Sequence, residues 1–415
     1  MTFLSPLFFM FNFQFVKNNF RFLLFGFILT FCSSFGQTFF IGIFNPFIRQ
    51  DLSLSHSEFG MIYSLATLLS SFSLIWIGKK IDDFKIIYFA IGVCLFLSFA
   101  AFFLTLVTNL TLLFFGIYFL RLSGQGLMTH TASTSMAKFF DLNRGKALSI
   151  SWLGLSLGEG ILPYLVIFFM KLYSWKMIWM GLSILLLLVV PIVFFILRTY
   201  QDGATEQSIN KPSVDKQIKN WTRAEVLKDP KFYFLLPAVL APAFLTTGIF
   251  INQIYIFESK NWSMLLLAQG FTLYAIVSVI TLAVSGFLID RFSAIKVLPF
   301  YLLPTITAYL LVIFSGWKFA PIAMMILIAM TNGTSSVLLT STWSEIYGTK
   351  HLGGIRSITV SFFVFSTAVA PVLFGFLIDH QFSINQIFSM MLGYLILANL
   401  LFLFKLKDYQ PVNIA

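Results

Sequence analysis

Long apolar runs alternate with short polar segments along the whole chain. A helix needs about 20 predominantly apolar residues to cross a bilayer, and lipid satisfies no exposed backbone N–H or C=O group. Twelve such runs predict twelve transmembrane helices, near residues 22–47, 57–77, 86–107, 111–137, 147–170, 177–197, 232–257, 265–289, 297–316, 320–344, 357–378 and 385–404.

One connection is much longer and more polar than the others. Residues 198–231 hold seven basic residues and separate the sixth run from the seventh. The organisation that we expect is an N-terminal tail (1–21), a six-helix bundle (22–197), a cytoplasmic linker (198–231), a second six-helix bundle (232–404) and a C-terminal tail (405–415).

The two predicted bundles are related by an internal repeat with a lag of 208 residues. Matches of Ile or Phe mean little in so apolar a chain, but matches of Gly, Asp and Pro are informative. At this lag Gly78, Asp82, Gly145 and Pro163 return as Gly286, Asp290, Gly353 and Pro371. Because each unit has an even number of helices, both enter the membrane in the same direction, as in transporters built from two parallel repeats with a substrate site between them. The predicted fold class is all-α and integral to the membrane.

Composition and charge agree with a membrane protein. The 415 residues are 58% hydrophobic and 10% charged, whereas soluble domains have roughly 25% charged residues. If the N-terminus is cytoplasmic, 21 of the 27 Lys and Arg residues lie on the cytoplasmic side and five lie outside. This excess predicts a multi-pass protein of the plasma (inner) membrane with both termini in the cytoplasm. The net charge of +11 is then a signal of topology, and we expect no nucleic-acid partner.

The sequence lacks the residue patterns that enzymatic catalysis or metal binding would need. The four His are scattered without metal-ligand spacing, and no Gly-rich phosphate loop precedes Lys-Ser or Lys-Thr. Cys32 and Cys94 both fall within predicted helices, so no disulfide framework is expected. The first 16 residues lack the basic leader and cleavage site of a signal peptide. We expect a monomer without enzyme activity, cofactor or metal, whose partners are a small-molecule substrate and the lipid bilayer.

Several connections contain the residues of a family motif. The copy after the eighth run consists of Gly286, Asp290, Arg291 and Lys296. The copy after the second run keeps the Gly and the first Asp but has Asp83 in place of a base. The residues of the connections at 144–147 and 345–356 also resemble loops of that family. On these motifs the chain resembles the major facilitator superfamily over residues 20–405 and, more distantly, its bacterial monocarboxylate and organic-anion carriers.

The resemblance implies a secondary transporter that works by alternating access. It also implies a latch of charged residues at the cytoplasmic face, formed by Asp82, Asp290, Arg291, Arg144, Glu345 and Arg356. A carboxylate of this latch can cap a neighbouring helix or pair with Arg144, Lys350 or Arg356. Ordinary solvated loop charges are the alternative, and the altered motif strengthens that alternative for Asp82.

Arg121 is the most costly residue to place in a bilayer. It lies ten residues into the fourth run, about 15 Å deep and near the bilayer centre. An Arg there costs about 2.5–3.5 kcal/mol on insertion scales, so it should face the interior and have a partner. Glu159 reaches a similar depth in the fifth run. Two interpretations are open: a buried Arg121–Glu159 pair that locks two helices together, or an Arg121 that binds an anionic group while Glu159 is its counter-ion or exchanges a proton.

Other polar residues are candidates for the substrate site. Gln125 follows Arg121 by four residues and shares its α-helical face. By resemblance, helices one, four, seven and ten line the cavity, which adds Gln37, Thr38, Gln253 and Asn332. The alternative for each of them is an interhelical hydrogen bond, worth about 0.6 kcal/mol. His130 is rotated away from Arg121 and is expected to be a packed or loop-facing histidine, with a role in proton handling as the alternative.

A lone cation in the membrane favours a small organic anion, such as a carboxylate, as the substrate, with proton coupling through Glu159. Efflux of drugs or metabolites by proton antiport is an alternative, but it prefers a lone acid and is opposed by Arg121. The segment Gly154-x-x-x-Gly158 resembles a motif of drug/proton antiporters, yet Glu159 replaces their Pro. A receptor on the same scaffold that transports nothing is a third hypothesis.

Overall fold

The computed structural model describes residues 13–140, 143–198, 220–348, 350–405 and 409. Every regular element among these residues is helical, and twelve helical spans are long and apolar enough to cross a membrane. Large apolar side chains cover their outer sides; Ile75 and Trp76, for example, are each 66% exposed. A bilayer is the solvent in which such a surface is stable. The predicted all-α, twelve-span fold class is confirmed.

The first of two compact units contains spans 1 to 6, together with residues 250–255 and 371–376. Its helices are Phe13–Ser33 and Thr38–Leu52 (span 1), His56–Lys79 (span 2), Ile86–Thr105 (span 3), Leu110–Leu120, Arg121–Met128 and Thr129–Phe139 (span 4), Arg144–Phe169 (span 5) and Trp175–Leu197 (span 6). Span 1 begins at Phe13, so helix extends into the tail that was predicted for residues 1–21.

The second unit contains most of spans 7 to 12. Its helices are Pro230–Ile251 and Gln253–Ser259 (span 7 and its extension), Met264–Phe292 (span 8), Ala294–Val297 and Leu303–Phe314 (span 9), Ala320–Tyr347 (span 10), Leu352–Asp379 (span 11) and Ile384–Phe404 (span 12). The predicted linker contains a short helix, Arg223–Lys228, while its residues 199–219 lie outside the described residues. Of the predicted C-terminal tail, residues 405 and 409 are described.

Both units pair their spans in the same way. In the first unit span 2 packs against span 4 and span 3 against span 6; in the second unit span 8 packs against span 10 and span 9 against span 12. Small residues allow close approach, since Gly154 and Gly158 of span 5 lie directly against Thr30 and Ser34 of span 1. The predicted small-residue stripe on span 5 is therefore a packing surface.

Side-chain caps begin five of the even-numbered spans. Ser55, Asn109, Ser174, Ser263 and Ser383 each accept a hydrogen bond from the backbone N–H three residues further on. These N–H groups have no partner within their own helix, and a polar cap satisfies them. Short connections can therefore turn directly into each of these spans.

Candidate functional site

Span 4 changes helix type at Arg121. Leu110–Leu120 is α-helical, whereas Arg121–Met128 forms a π-helix. Single π-helical turns within α-helices occur frequently at functional sites. The wider turn also alters side-chain spacing, so the expectation that Gln125 shares the face of Arg121, which assumed α-helical geometry, no longer follows.

Span 1 is interrupted beside this π-helix. A 3₁₀ turn covers Ser34–Gly36, and Gln37 is extended (φ −83°, ψ 154°) before the helix resumes at Thr38. Gly36 lies directly against Gly124 of span 4, where an added Cβ would stand 2.7 Å from the Gly36 Cα. Two irregular backbone segments therefore touch at a pair of glycines.

The Arg121 guanidinium joins span 1 to span 2 at this contact. Its Nη1 donates hydrogen bonds to the Gly36 carbonyl (3.0 Å) and the Thr38 hydroxyl (3.4 Å), and its Nε donates to the Thr67 hydroxyl (3.2 Å). The guanidinium carbon lies 5.1 Å from the centroid of the Tyr63 ring, within cation–π range. Arg121 is 3% exposed and therefore lies in the interior of the first unit.

All of these partners are neutral. Among the described residues no acidic side chain pairs with Arg121, and its Nη2 forms no hydrogen bond. The hypothesis of a buried Arg121–Glu159 pair is therefore wrong for this structure. Similar depth did not bring the two charges together, because span 5 packs on span 1 through Gly158 and Ser34, while Arg121 is held by the break that follows Ser34.

Glu159 lies on the side of span 5 that does not face lipid. Leu157 and Ile161 mark the exposed apolar side of this helix, with 42% and 43% of their surface accessible. At about 100° per residue, Glu159 is about 160° around the helix from each of them. The half-buried Glu159 forms no hydrogen bond or ion pair with any residue that the structure describes.

Two amide side chains flank the glycine contact. Gln37 follows Gly36 and Gln125 follows Gly124, and both are half-buried. Neither side chain hydrogen-bonds to another described residue. The Thr38 hydroxyl is shared between Arg121 and the Tyr63 hydroxyl, the latter at 2.8 Å. The first unit thus contains a cation and two amides with unused hydrogen-bonding capacity.

The remaining candidates for substrate binding already have hydrogen-bond partners. In the second unit the Asn332 amide donates to the Thr246 hydroxyl (3.0 Å) and to the Tyr274 hydroxyl (2.9 Å). In the first unit Gln253 is 1% exposed and donates to the Phe39 carbonyl at 2.8 Å. In this structure both side chains have the interhelical hydrogen bonds that were the alternative to substrate contacts.

The predicted latch has different partners from those expected. Asp82 pairs with Lys138 at 2.9 Å, and not with Arg144, Lys350 or Arg356. Lys138 lies at the end of span 4, which packs against span 2 and so brings the two side chains together. Arg144 is exposed at the first residue of span 5, and Arg356 is exposed on span 11. The expected partners of Asp82 are therefore corrected.

The side chains around the second copy of the motif, after span 8, make different contacts from those around the first copy. Asp290 is exposed and forms no ion pair within the described ranges. Arg291 lies over the Phe292 ring at 5.3 Å. Glu345 accepts hydrogen bonds from the backbone N–H groups of Ala294 (2.8 Å) and Ile295 (3.3 Å). Glu345 therefore stabilises the first turn of span 9 by capping it.

The contribution of span 2 to the Arg121 site was not among the predictions from the sequence. A signal was present, because Tyr63, Thr67 and Ser70 recur at helical spacing and are all buried, at 0%, 3% and 5% exposure. Polar residues along one face of a transmembrane helix indicate an interior hydrogen-bonding surface. His130 is packed as expected, with its Nε2 3.0 Å from the Gly78 carbonyl.

Fold and site together define a multi-pass membrane transporter with a buried cation in its first unit. The sequence profile of the Major Facilitator Superfamily matches residues 26–270 and 243–414, and the chain belongs to this family. Its function is therefore secondary transport. No curated protein matches the chain.

Several solved transporters are similar in structure. A bacterial homologue of the human lysosomal transporter Spinster, in an inward-facing and occupied conformation, has a TM-score of 0.72 and 14% identity over 94% of this chain and 98% of that chain. The unoccupied form of the homologue has a TM-score of 0.69 and 14% identity over 94% and 97%. The nucleoside transporter NupG has a TM-score of 0.67 and 11% identity over 94% and 98%. At such identities the likeness establishes a shared fold alone.

Proposed function

We propose that this chain transports a small organic anion, such as a carboxylate, which Arg121 binds during an alternating-access cycle. The supporting observation is a buried guanidinium whose partners are all neutral. Removing a charge from water without a counter-ion costs several kcal/mol. A carboxylate ligand supplies the missing charge and two acceptor oxygens that match the guanidinium fork.

The free Nη2 indicates how such an anion binds. Both Nη2 hydrogens are unused, and the longest bond of Nη1 is the 3.4 Å contact to Thr38. A carboxylate that displaces only this contact reaches Nη1 and Nη2 together, while the bonds to Gly36 and Thr67 still hold the guanidinium in place. Gln37 and Gln125 then offer neutral amide donors to the rest of the ligand.

The proposal is tested by uptake into sealed vesicles that contain the purified protein. A panel of radiolabelled mono- and dicarboxylates is compared with lipophilic cations and nucleosides. We expect saturable uptake of at least one carboxylate, inhibited by other carboxylates. Uptake of lipophilic cations without uptake of any carboxylate would overturn the anion proposal and favour efflux.

We further propose that Glu159 exchanges the coupling proton. The support is its position on the side of span 5 away from lipid, where no cation among the described residues pairs with it. Glu159→Gln removes the exchangeable proton and keeps the size of the side chain. We expect this variant to lose accumulation driven by a pH gradient but to keep exchange of labelled for unlabelled carboxylate at equal pH. Glu258→Gln, at an exposed position in the extension of span 7, is the matched control. Gradient-driven accumulation that persists in Glu159→Gln would exclude this role.

We also propose a gating role for Asp290, as the family motif implies. The test introduces Ser357→Cys, an exposed position on span 11, into a chain whose two native cysteines are buried. Asp290→Asn should change the labelling rate of this Cys by a charged thiol reagent severalfold. Asp83→Asn, which removes only the exposed pair with Lys80, serves as the control. Equal labelling rates in all variants would show that Asp290 is an ordinary solvated charge.

A further inference from the structure

A cavity in the second unit lies at the starts of spans 8 and 10, whereas Asn332 lies 12 residues into span 10. Its volume is about 700 Å³, and it is lined by residues 260–263, 265–266 and 315–319. All of the lining residues belong to the two connections that precede these spans and to the first residues of span 8. The proposed transport site does not use any of them.

Two lysines give the cavity its charge. Lys260 Nζ donates hydrogen bonds to the Val312 carbonyl (2.8 Å) and to Asn385 Oδ1, so its position is fixed. Partial burial lowers the pKa of the Lys260 amine below its ordinary value, because the charged form loses water. Lys318 is exposed and bonds to no other described residue. The eleven described lining residues include no acidic side chain that would neutralise the two cations.

The hydroxyl groups of the cavity are also available as donors. Ser263 Oγ accepts a hydrogen bond from the Leu266 N–H (3.3 Å), and Ser315 Oγ accepts one from the Trp317 N–H (3.0 Å). Because each oxygen already accepts, each hydroxyl hydrogen remains free to donate. Two ammonium groups and two hydroxyl donors without an acidic acceptor form a set that suits an oxyanion such as a phosphate.

The rim of the cavity has the character of a membrane interface. Trp317 and Phe319 are 54% and 46% exposed, with ring centroids 5.9 Å apart. Leu265 and Phe314 beside the cavity are 54% and 79% exposed. Tryptophan and lysine are typical of the level at which lipid headgroups meet the hydrocarbon core. An anion held here therefore has room for attached acyl chains along the adjacent apolar surface.

We infer that this cavity binds the headgroup of an anionic phospholipid, with its phosphate between Lys260 and Lys318 and its acyl chains along Leu265 and Phe314. Ser263 and Ser315 donate to the remaining phosphate oxygens. Spans 8 and 10 form a closely packed pair. The lipid would contact the connections before both spans and so hold these connections together. This inference is independent of the transported substrate.

The test uses purified full-length protein and native mass spectrometry with phosphatidylglycerol and phosphatidylcholine. The wild type should retain phosphatidylglycerol in preference to phosphatidylcholine. Each Lys→Gln change should weaken phosphatidylglycerol binding about fivefold, and the double change about 25-fold, because one basic residue near the surface contributes about 1 kcal/mol. Lys318→Gln is the decisive single variant, since Lys318 has no hydrogen bond to another described residue whose loss could disturb the fold.

Lys176→Gln is the matched control. Lys176 donates to a backbone carbonyl, that of Val107, at 2.9 Å and lies 5.3 Å from the Trp175 ring, so it resembles Lys260 in its protein contacts. Equal loss of phosphatidylglycerol in this control and in the Lys318 variant would indicate a general charge effect and overturn the inference. Displacement of the lipid by inorganic phosphate at equal concentration would overturn it as well, because the site would then recognise a soluble anion.

Discussion

Replacing Arg121 with Lys is expected to reduce carboxylate uptake at least about 100-fold while the amount of protein in the membrane stays unchanged. An ammonium group cannot bond to Gly36 and Thr67 and at the same time present a planar fork to a carboxylate. A hydrogen bond to a charged group contributes about 1.5–3 kcal/mol, so the loss of two such bonds to the ligand corresponds to roughly 100-fold or more. Initial rates in sealed vesicles over a range of carboxylate concentrations measure the effect.

The control for this experiment is Arg198→Lys. Arg198 is exposed after span 6, and its guanidinium carbon lies 5.0 Å from the Phe195 ring. This variant should transport at the wild-type rate. Unaltered uptake in Arg121→Lys would show that the guanidinium only joins spans 1 and 2, and the anion proposal would fail.

Substituting Ala for Gly124 is expected to lower both stability and transport. The added Cβ would stand 2.7 Å from the N and Cα atoms of Gly36. These are backbone atoms and cannot rotate away, so spans 1 and 4 must separate. Overpacking of this kind costs about 1–3 kcal/mol, and the separation also lengthens the bond from Arg121 to the Gly36 carbonyl. Thermal unfolding in detergent measures the first effect, and vesicle uptake measures the second.

Gly92→Ala is the matched control for this change. Gly92 also lies in a transmembrane helix, but an added Cβ would have no described atom within 4 Å outside its chain neighbours and the nearby backbone of its own helix. Ala is favoured over Gly in helices by about 1 kcal/mol, so this variant should be as stable as the wild type or slightly more stable. If Gly124→Ala and Gly92→Ala unfold at the same temperature, the close contact between spans 1 and 4 does not exist in solution.

Run length predicted the spans well because it follows from the thickness of a bilayer. Span 3 was expected at 86–107 and is Ile86–Thr105, and span 12 was expected at 385–404 and is Ile384–Phe404. Hydropathy contains no information on helix type, however. The break at Gln37 and the π-helix at Arg121–Met128 lie inside helical spans, and hydropathy does not distinguish an α-helix from a π-helix or a break, so neither could be predicted from it.

Only part of the candidate site could be predicted, because the sequence indicates how deep a residue lies but not which helices are its neighbours. Depth along a helix follows from residue counting, which placed Arg121 and Glu159 at a similar depth in the bilayer. Which helices are neighbours, and how each is rotated, depends on packing among all the spans. Residue counting therefore could not show that Thr67 and the Gly36 carbonyl, and not Glu159, are the partners of Arg121.

The hydrogen bond from Arg121 to the Gly36 carbonyl affects how firmly the interruption of span 1 is held. This carbonyl accepts its hydrogen bond from the Arg121 side chain instead of from the next helical turn, so the segment would lose one of the contacts that hold it if the guanidinium moved. A ligand that drew Arg121 aside would remove this bond at the base of the 15-residue arm Thr38–Leu52, which is about 22 Å long. A small displacement at the charge would then become a larger one at the far end of that arm.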